Sequence, residues 1–340
     1  MSSLMLEEAC SAADVIRRQL QQDQAQYAMV AERLRQHPPR NVVTVARGSS
    51  DHASAYLAYL IMSRIGKLVT SLPMSLVTLE KAPLDTGDSL AIAISQSGQS
   101  PDVIEPIRYF RAGGARTIAL VNDTSSPLAQ SAEWTFGLHA GAEKSVAATK
   151  SFIASLVAGA RLVAHWQDDA ALHDAIAALP DGLQQATQLD WSAAIEALTP
   201  ASRIMVVGRG TGFPVALEAA LKCKETSAIQ AEAFSGAEIK HGPMALIDEG
   251  YPLLIFATRG PAMAGLLQLA RDMRQLGARV ILAAPLDVAD RDLTLPTAAL
   301  PELDPILAIQ AFYVMAARLS EARGSNPDTP RHLNKVTKTQ

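Results

Sequence analysis

Cysteine is almost absent: Cys10 and Cys223 are the whole complement. Two thiols far apart in sequence offer neither a metal-ligand spacing nor a disulfide framework, which fits a reduced cytoplasmic compartment. Aromatic residues make up only 5% of a chain that is 49% hydrophobic, so its core must be built from aliphatic side chains and alanine. Basic blocks are missing as well, and a net charge of −4 gives no electrostatic footprint for nucleic acid. No apolar run has the length of a membrane span, and the opening MSSLMLEEAC carries acid where a secretory signal carries base. These absences leave a soluble cytoplasmic protein with no expected partner among nucleic acids or membranes. Its 340 residues suffice for two ordinary domains and a large core.

Residues 6 to 36 place Val15, Ile16, Leu20, Tyr27, Val30 and Leu34 at helical spacing, so one long amphipathic helix or a broken pair is expected before Pro38-Pro39. A buried strand follows over Asn41 to Ala46, and Gly48-Ser49-Ser50 turns into a helix over 52 to 64. After an apolar segment near Leu68, the run at 89 to 94 reads as a strand and residues after Pro101 as a helix, which Pro106 should bend. Gly113-Gly114 ends it, and Ala115 to Val121 is the next strand. Alternation at these lengths implies parallel βαβ units.

The second half answers the first. Arg47-Gly48 is matched by Arg209-Gly210, Gly98 by Gly260, and Gly114-Ala115-Arg116 by Gly277-Ala278-Arg279, all in nearly one register. An internal duplication accounts for this. It gives two α/β domains at 35–185 and 195–322, with a helical segment at 1–34, a joining helical stretch around 147 to 200 and a tail at 323–340.

Between the first-half strand and helix lies Ser95-Gln96-Ser97-Gly98-Gln99-Ser100. A strand-to-helix turn presents free backbone N–H groups and the positive end of a helix dipole, and hydroxyls and amides add donors. With no following lysine it is not a nucleoside-triphosphate loop, and its neutral lining suits a sugar monophosphate. The same residues also suit an ordinary turn in which Ser100 caps the helix and Pro101 takes its first position. The second copy, Ala257-Thr258-Arg259-Gly260-Pro261-Ala262, has fewer side-chain donors; if one copy holds phosphate, it is the first.

Glu218, Lys222 and Glu225, at spacings of four and three, share one helix face. A solvated stripe with an i,i+4 ion pair explains them as simply as a catalytic cluster does. Further on, His241-Gly242-Pro243 sets a histidine on a rigid turn where it could move protons, or merely be hydrogen-bonded in a loop. Gly324 to Gln340 lacks hydrophobic periodicity and reads as a flexible end, yet Asp328 to Lys335 is not low-complexity sequence.

Taken in order, Gly48-Ser49-Ser50-Asp51-His52-Ala53, Ser95 to Ser100, Glu143 through Val146-Ala147-Ala148-Thr149-Lys150, Ala216-Leu217-Glu218 through Glu225, Glu232-Ala233 through Lys240-His241-Gly242-Pro243, and Pro330-Arg331 to Lys335-Val336-Thr337 resemble the sugar isomerase (SIS) family. Within it they are similar to the isomerase half of glucosamine-6-phosphate synthase. The resemblance implies two tandem SIS domains, each a parallel-sheet three-layer αβα unit of flavodoxin-like type. It implies an enzyme without cofactor or metal. Ser95, Gln96, Ser97 and Ser100 would hold a phosphate, and Ser50 with the backbone near Val146 and Ala148 would contact the sugar. His241 would open the ring, Glu225 would carry a proton between C2 and C1, and Lys222 would support that carboxylate with Glu218 beside it. Lys335 matches the lysine that forms a Schiff base with the open ketose, or in a deaminase polarises a carbonyl or imine. The site would be shared across a homodimer, with the histidine supplied by the neighbouring subunit. Ala148 stands where the synthase has serine, and Asp51 where it has an aromatic residue.

No glutaminase segment with an N-terminal cysteine is present in the sequence, so the expected direction is hydrolysis. The pattern from Glu143 to Phe152 is similar to that of stand-alone deaminases. The expected activity converts glucosamine 6-phosphate and water to fructose 6-phosphate and ammonia. Aldose–ketose isomerisation without nitrogen, deglycation of a 6-phosphofructosamine, and a non-catalytic sugar-phosphate-binding regulator are the alternatives.

Overall fold

The computed structural model describes residues 2–335. Its contacts separate two compact units: residues 14–143 and 150–177 with Asn334 and Lys335, and residues 2–13, 144–149 and 178–333.

In the first unit, β1 (Asn41–Val45), β2 (Val69–Ser71), β3 (Ser89–Ser95), β4 (Arg116–Val121) and β5 (Trp134–Gly137) form a parallel sheet in the order β2-β1-β3-β4-β5. β3 pairs with β1 and β4, and every residue of it is buried, which is why Leu90 to Ile94 read as an unbroken apolar run. On one face Val43, Val45, Ala91, Ala93, Ala119 and Val121 pack with Val103, Ile104, Ile107 and Phe110 of the helix Pro101–Ala112. That helix runs through Pro106 without a break.

In the second unit, β6 (Arg203–Gly208), β7 (Gln230–Ser235), β8 (Pro252–Phe256), β9 (Arg279–Pro285) and β10 (Leu293–Leu295) form another all-parallel sheet in the order β10-β9-β8-β6-β7. Read from its other edge, β7-β6-β8-β9-β10 repeats the first sheet strand for strand. The turn glycines agree as well: Gly48 and Gly210, Gly98 and Gly260 all have positive φ. The chain thus carries two α/β units of flavodoxin-like strand order, as the repeat in the sequence requires. The helix Asp304–Ala322 packs against Phe213–Ser227, Leu4–Cys10, Leu179–Ala186 and Ser192–Leu198.

Several sequence expectations need correction. The N-terminal pattern is three helices, Leu4–Cys10, Ala12–Leu20 and Gln24–Gln36, the last beginning after Asp23 in a left-handed conformation. The helix predicted over 52–64 starts at Ser49 and ends at Leu60 in a π turn, Ile61–Ile65. The joining stretch is helical as expected, and its helix Lys150–Gln167 is buried along nearly its whole length. The tail from Gly324 to Leu333 belongs to the second unit and is held there by Asp328, described below. No helix among the described residues is long and apolar enough to cross a membrane.

The long helix also carries a histidine whose charge is disfavoured in the folded state. His165 stacks on Tyr27 and meets His173 edge-on. Burial, then the charges of His173, Arg161 and Arg35, lower its pKa from 6.5 to about 4. The folded pKa lies below the unfolded one, so this contribution to stability is whole above pH 6.5 and is lost as pH falls through about 4. Because the ring is only half-buried, the loss is on the order of 1 kcal/mol after solvent screening. Thermal unfolding of His165→Gln across that window should show a correspondingly smaller acid destabilisation than wild type; equal slopes would mean that the ring is charged in the folded state.

Candidate active site

β3 delivers the chain into the Ser95–Ser100 loop at the carboxyl end of the first sheet, the edge where open α/β sheets bind ligands. The Gly98 N–H donates to Ser95 Oγ at 3.0 Å and the Gln99 N–H to Ser97 Oγ at 3.3 Å, while the Gly98 carbonyl accepts from the Leu128 N–H. Gly98 has φ +63°, and a Cβ there would lie 2.1 Å from Ser126 Oγ, so only glycine fits. Ser100 stands at the N-cap position, but its hydroxyl makes no cap bond. The turn's own capping does not use the Ser100 hydroxyl, contrary to the expectation of an ordinary cap. Nearby, Asp102 in the first turn of the helix is buried and paired with Arg47 Nη2 at 3.2 Å. Ser50 sits in the first turn of Ser49–Leu60, where its carbonyl accepts from Ser54 Oγ. Asp51 beside it is pushed up by burial, partly countered by His52, Arg47 and Ser71.

The equivalent loop of the second unit is occupied by its own side chain. Arg259 donates to both carboxylate oxygens of Asp304, at 2.8 and 2.7 Å, and to the Ala298 carbonyl. What the first copy leaves as hydroxyls the second fills with a structural ion pair.

The second unit instead holds a row of charges on Phe213–Ser227. Pro214 occupies the first turn and Ala228, with φ +50°, terminates the helix. Glu218 and Lys222 have side-chain exposures of 0% and 1%, so they are not a solvated stripe; Glu225 keeps 21%. Lys222 Nζ lies 3.3 Å from Glu218 Oε1 and is also hydrogen-bonded to Glu225 Oε2. Tyr313, buried on Asp304–Ala322, donates to Glu218 Oε1 at 2.9 Å. Burial disfavours the ammonium, but the two carboxylates outweigh it and raise the Lys222 pKa above its usual value. Cys223, next in sequence, is fully buried with its thiol pushed up to about 12, which removes it as a nucleophile. The row therefore has a sealed end at Glu218 and an accessible end at Glu225, where a carboxylate beside a fixed cation can exchange protons with a bound molecule.

The remaining expected residues fall elsewhere. Residues 144–149, irregular and bent, alternate in burial, with Ser145, Ala147 and Thr149 buried and Val146 and Ala148 part-exposed. Lys335 Nζ is 3.0 Å from Glu143 Oε2, and that buried carboxylate also accepts from the Ser151 N–H and hydroxyl. His241 ends the short helix Glu238–His241 and is exposed, with Gly242 at φ +142° behind it. No hydrogen bond or ion pair joins it to the Glu218–Lys222–Glu225 row among the described residues. Val336 and Thr337 of the matching tail lie outside the described residues. Sequence reasoning missed Tyr313 and Glu8, and it quoted Glu143 and Asp328 without giving either a task. A tyrosine inside a largely apolar helix was a usable signal, since a buried phenol needs a partner. Among the described residues, no group of three or more acidic, histidine or cysteine side chains is placed to hold a metal ion.

The fold and these groups have counterparts in known proteins. A model of the SIS domain matches residues 37–164 and 197–285. The isomerizing glutamine–fructose-6-phosphate aminotransferase of Zymomonas mobilis is 31% identical over 315 residues, which cover 87% of this chain and 51% of that enzyme. The chain spans about half the length of the curated relatives it matches. Among solved structures, a protein of Silicibacter pomeroyi described as a phosphosugar isomerase is 38% identical with a TM-score of 0.91, over 96% of this chain and 100% of that one. A glucosamine-6-phosphate deaminase of Thermotoga maritima shares the fold at a TM-score of 0.80 and 22% identity, over 99% and 100% of the two chains.

The buried row makes a stability prediction of its own. Lys222→Met leaves the Glu218 carboxylate without its cation and should cost about 3–5 kcal/mol in urea unfolding. Adding Glu218→Gln should recover part of that loss. A cost near zero for the single variant would mean that the row is not held as an ionic cluster.

Proposed function

The chain belongs to the SIS-domain family, and from that membership we propose that it is a phosphosugar aminoisomerase of the deaminating kind, turning glucosamine 6-phosphate and water into fructose 6-phosphate and ammonia. Family membership carries the coarser statement, that the chain is a phosphosugar isomerase in fold and kind. The observation that carries the chemistry further is the row of charges with Glu225 at its open end. Its support for a proton-transfer role is physical: a half-buried carboxylate with one oxygen on a fixed ammonium is an oriented base.

In this reading the hydroxyls of Ser95, Ser97 and Ser100, with Gln96, take the phosphate. Ser50 and the backbone at Val146 and Ala148 take the sugar. His241 moves a proton from O1 to O5 as the pyranose opens to the aldehyde. Glu225 then removes the proton from C2, leaving a cis-enolamine across C1 and C2, and returns a proton to C1. C2 is now an imine; water adds to it and ammonia leaves, so that every atom of the products is supplied by substrate and water. Lys222 keeps Glu225 oriented, Glu218 and Tyr313 keep Lys222 in place, and Lys335 serves as an ammonium that polarises the carbonyl or imine. The exposed position of His241, unbonded to the row in its own unit, supports a homodimer in which each histidine serves the neighbouring subunit's substrate.

The choice of ammonia release over nitrogen-free isomerisation rests on the Glu143–Phe152 pattern. Purified protein given glucosamine 6-phosphate should release ammonia and fructose 6-phosphate in equal amounts. Well-folded protein that yields none, but interconverts aldose and ketose 6-phosphates, would place it with the nitrogen-free isomerases instead.

The role of Glu225 has a separate readout. Glu225→Gln should keep substrate affinity within about threefold while slowing exchange of the C2 proton with deuterated solvent by at least about a hundredfold, the scale of general-base catalysis. Exchange at the wild-type rate would remove Glu225 from that task.

A further inference from the structure

Three segments of the second unit, distant in sequence, are closed into a ring by two carboxylates and one carbonyl. The helix Leu4–Cys10 has Ser3 at its N-cap, yet Ser3 makes no cap bond. Its first N–H groups go instead to the tail: Leu4 donates to Asp328 Oδ2 at 2.9 Å and Met5 to Asp328 Oδ1 at 2.7 Å. One turn on, Glu8 is buried and points its carboxylate at the 144–149 segment. Its Oε1 accepts from the Lys144 N–H at 2.5 Å and its Oε2 from the Ser145 N–H at 3.2 Å. The next N–H along, that of Val146, donates to the Asp328 carbonyl at 3.2 Å and completes the circuit. Asp328 itself is steadied by its own N–H on Asn326 Oδ1.

Residues 144–149 are neither helix nor strand, so no ladder of their own fixes them. Both oxygens of Glu8 are spent on their backbone, a use that orders a loop and moves no proton. Charge-assisted bonds of this kind are roughly twice as strong as neutral ones. With Lys144, Ser145 and Val146 held by their N–H groups, the alternation that buries Ser145, Ala147 and Thr149 is fixed in phase, and Val146 and Ala148 are kept toward the surface.

We propose that Glu8 and Asp328 are positioning residues for sugar binding: they hold the segment whose Val146 and Ala148 face the sugar, so that the N-terminal helix and the tail belong to the binding machinery. This rests on the function proposed above, in which that segment contacts the substrate.

Glu8→Gln is the direct test, because the amide keeps one acceptor and sets its NH2 against the other N–H. Gln310→Met is the control: it removes the Gln310 Nε2 bond to the Ala9 carbonyl, anchoring the same helix, without touching the ring. Three quantities are measured on each full-length protein: the Kd for fructose 6-phosphate, the Kd for inorganic phosphate, and deuterium exchange of the peptide spanning 143–149. Glu8→Gln should weaken fructose 6-phosphate by between about tenfold and a hundredfold, leave inorganic phosphate within about twofold, and speed exchange at residues 144–146. Gln310→Met should lower the melting temperature without any of these changes. The proposal is overturned if Glu8→Gln leaves fructose 6-phosphate affinity unchanged, if phosphate weakens in parallel, or if Gln310→Met has the same effect. Wild-type protein that binds no phosphosugar would overturn the functional reading. In that event exchange at residues 144–146 still decides whether Glu8 orders the segment, and unchanged exchange rejects that too.

Discussion

A lysine ammonium with 1% of its side chain exposed is the constraint on which the second unit is built. Removing such a charge from water costs several kcal/mol, and only close, well-oriented counter-charges offset it. Lys222 has two, one turn of helix before and after it, and the inner carboxylate is fixed in turn by the Tyr313 hydroxyl. Phe213–Ser227 and Asp304–Ala322 therefore meet in one register, because a shift would part the phenol from Glu218. An apolar row would pack the same two helices as well or better. That a charged row stands there instead is the reason to look for chemistry at its open end.

The duplication makes the comparison internal. Two sheets with the same strand order, the same positive-φ turn glycines and the same kind of flanking helices have come to hold different things. In the first unit the turn after β3 keeps hydroxyls around a glycine that admits no Cβ. In the second the turn after β8 is closed by Arg259 on Asp304. The helix after β6 carries the buried charges, whereas the corresponding helix after β1, Ser49–Leu60, buries Ala53, Tyr56, Leu57 and Leu60. Architecture is common to both copies and the polar groups they carry are not, as expected where function resides in sites and not in folds.

Strands were legible in the sequence because central parallel strands are apolar on both faces, and β3 shows it from Leu90 to Ile94. The turn glycines were legible because positive φ admits few other residues. Burial of Glu218 and Lys222 was not, since the same i,i+4 spacing serves an exposed ion pair; the deciding partner, Tyr313, lies 95 residues from Glu218. The helix Lys150–Gln167 was legible as helical but its burial was not: mostly apolar around its circumference, it shows no single stripe to mark a core-facing surface. The tail looked unstructured because it is held by polar contacts of Asp328 with Leu4, Met5 and Val146, and such contacts leave no periodicity.

Carboxylates in this molecule sort by what their oxygens already do. Glu8 gives both to backbone N–H groups, and Asp304 gives both to Arg259 with the Ala298 N–H added. Glu143 holds Ser151 by two bonds and Lys335 by a third, and Glu218 is shared between Lys222 and Tyr313. Each is committed to bonds that order the chain. Glu225 is different: Lys222 engages Oε2, no protein donor among the described residues engages Oε1, and the side chain reaches solvent. A base must have an oxygen to spare and a neighbour that fixes its direction. Of the carboxylates named here, Glu225 combines a neighbour that fixes its direction with access to solvent, which is what the proposed proton transfer asks of a base.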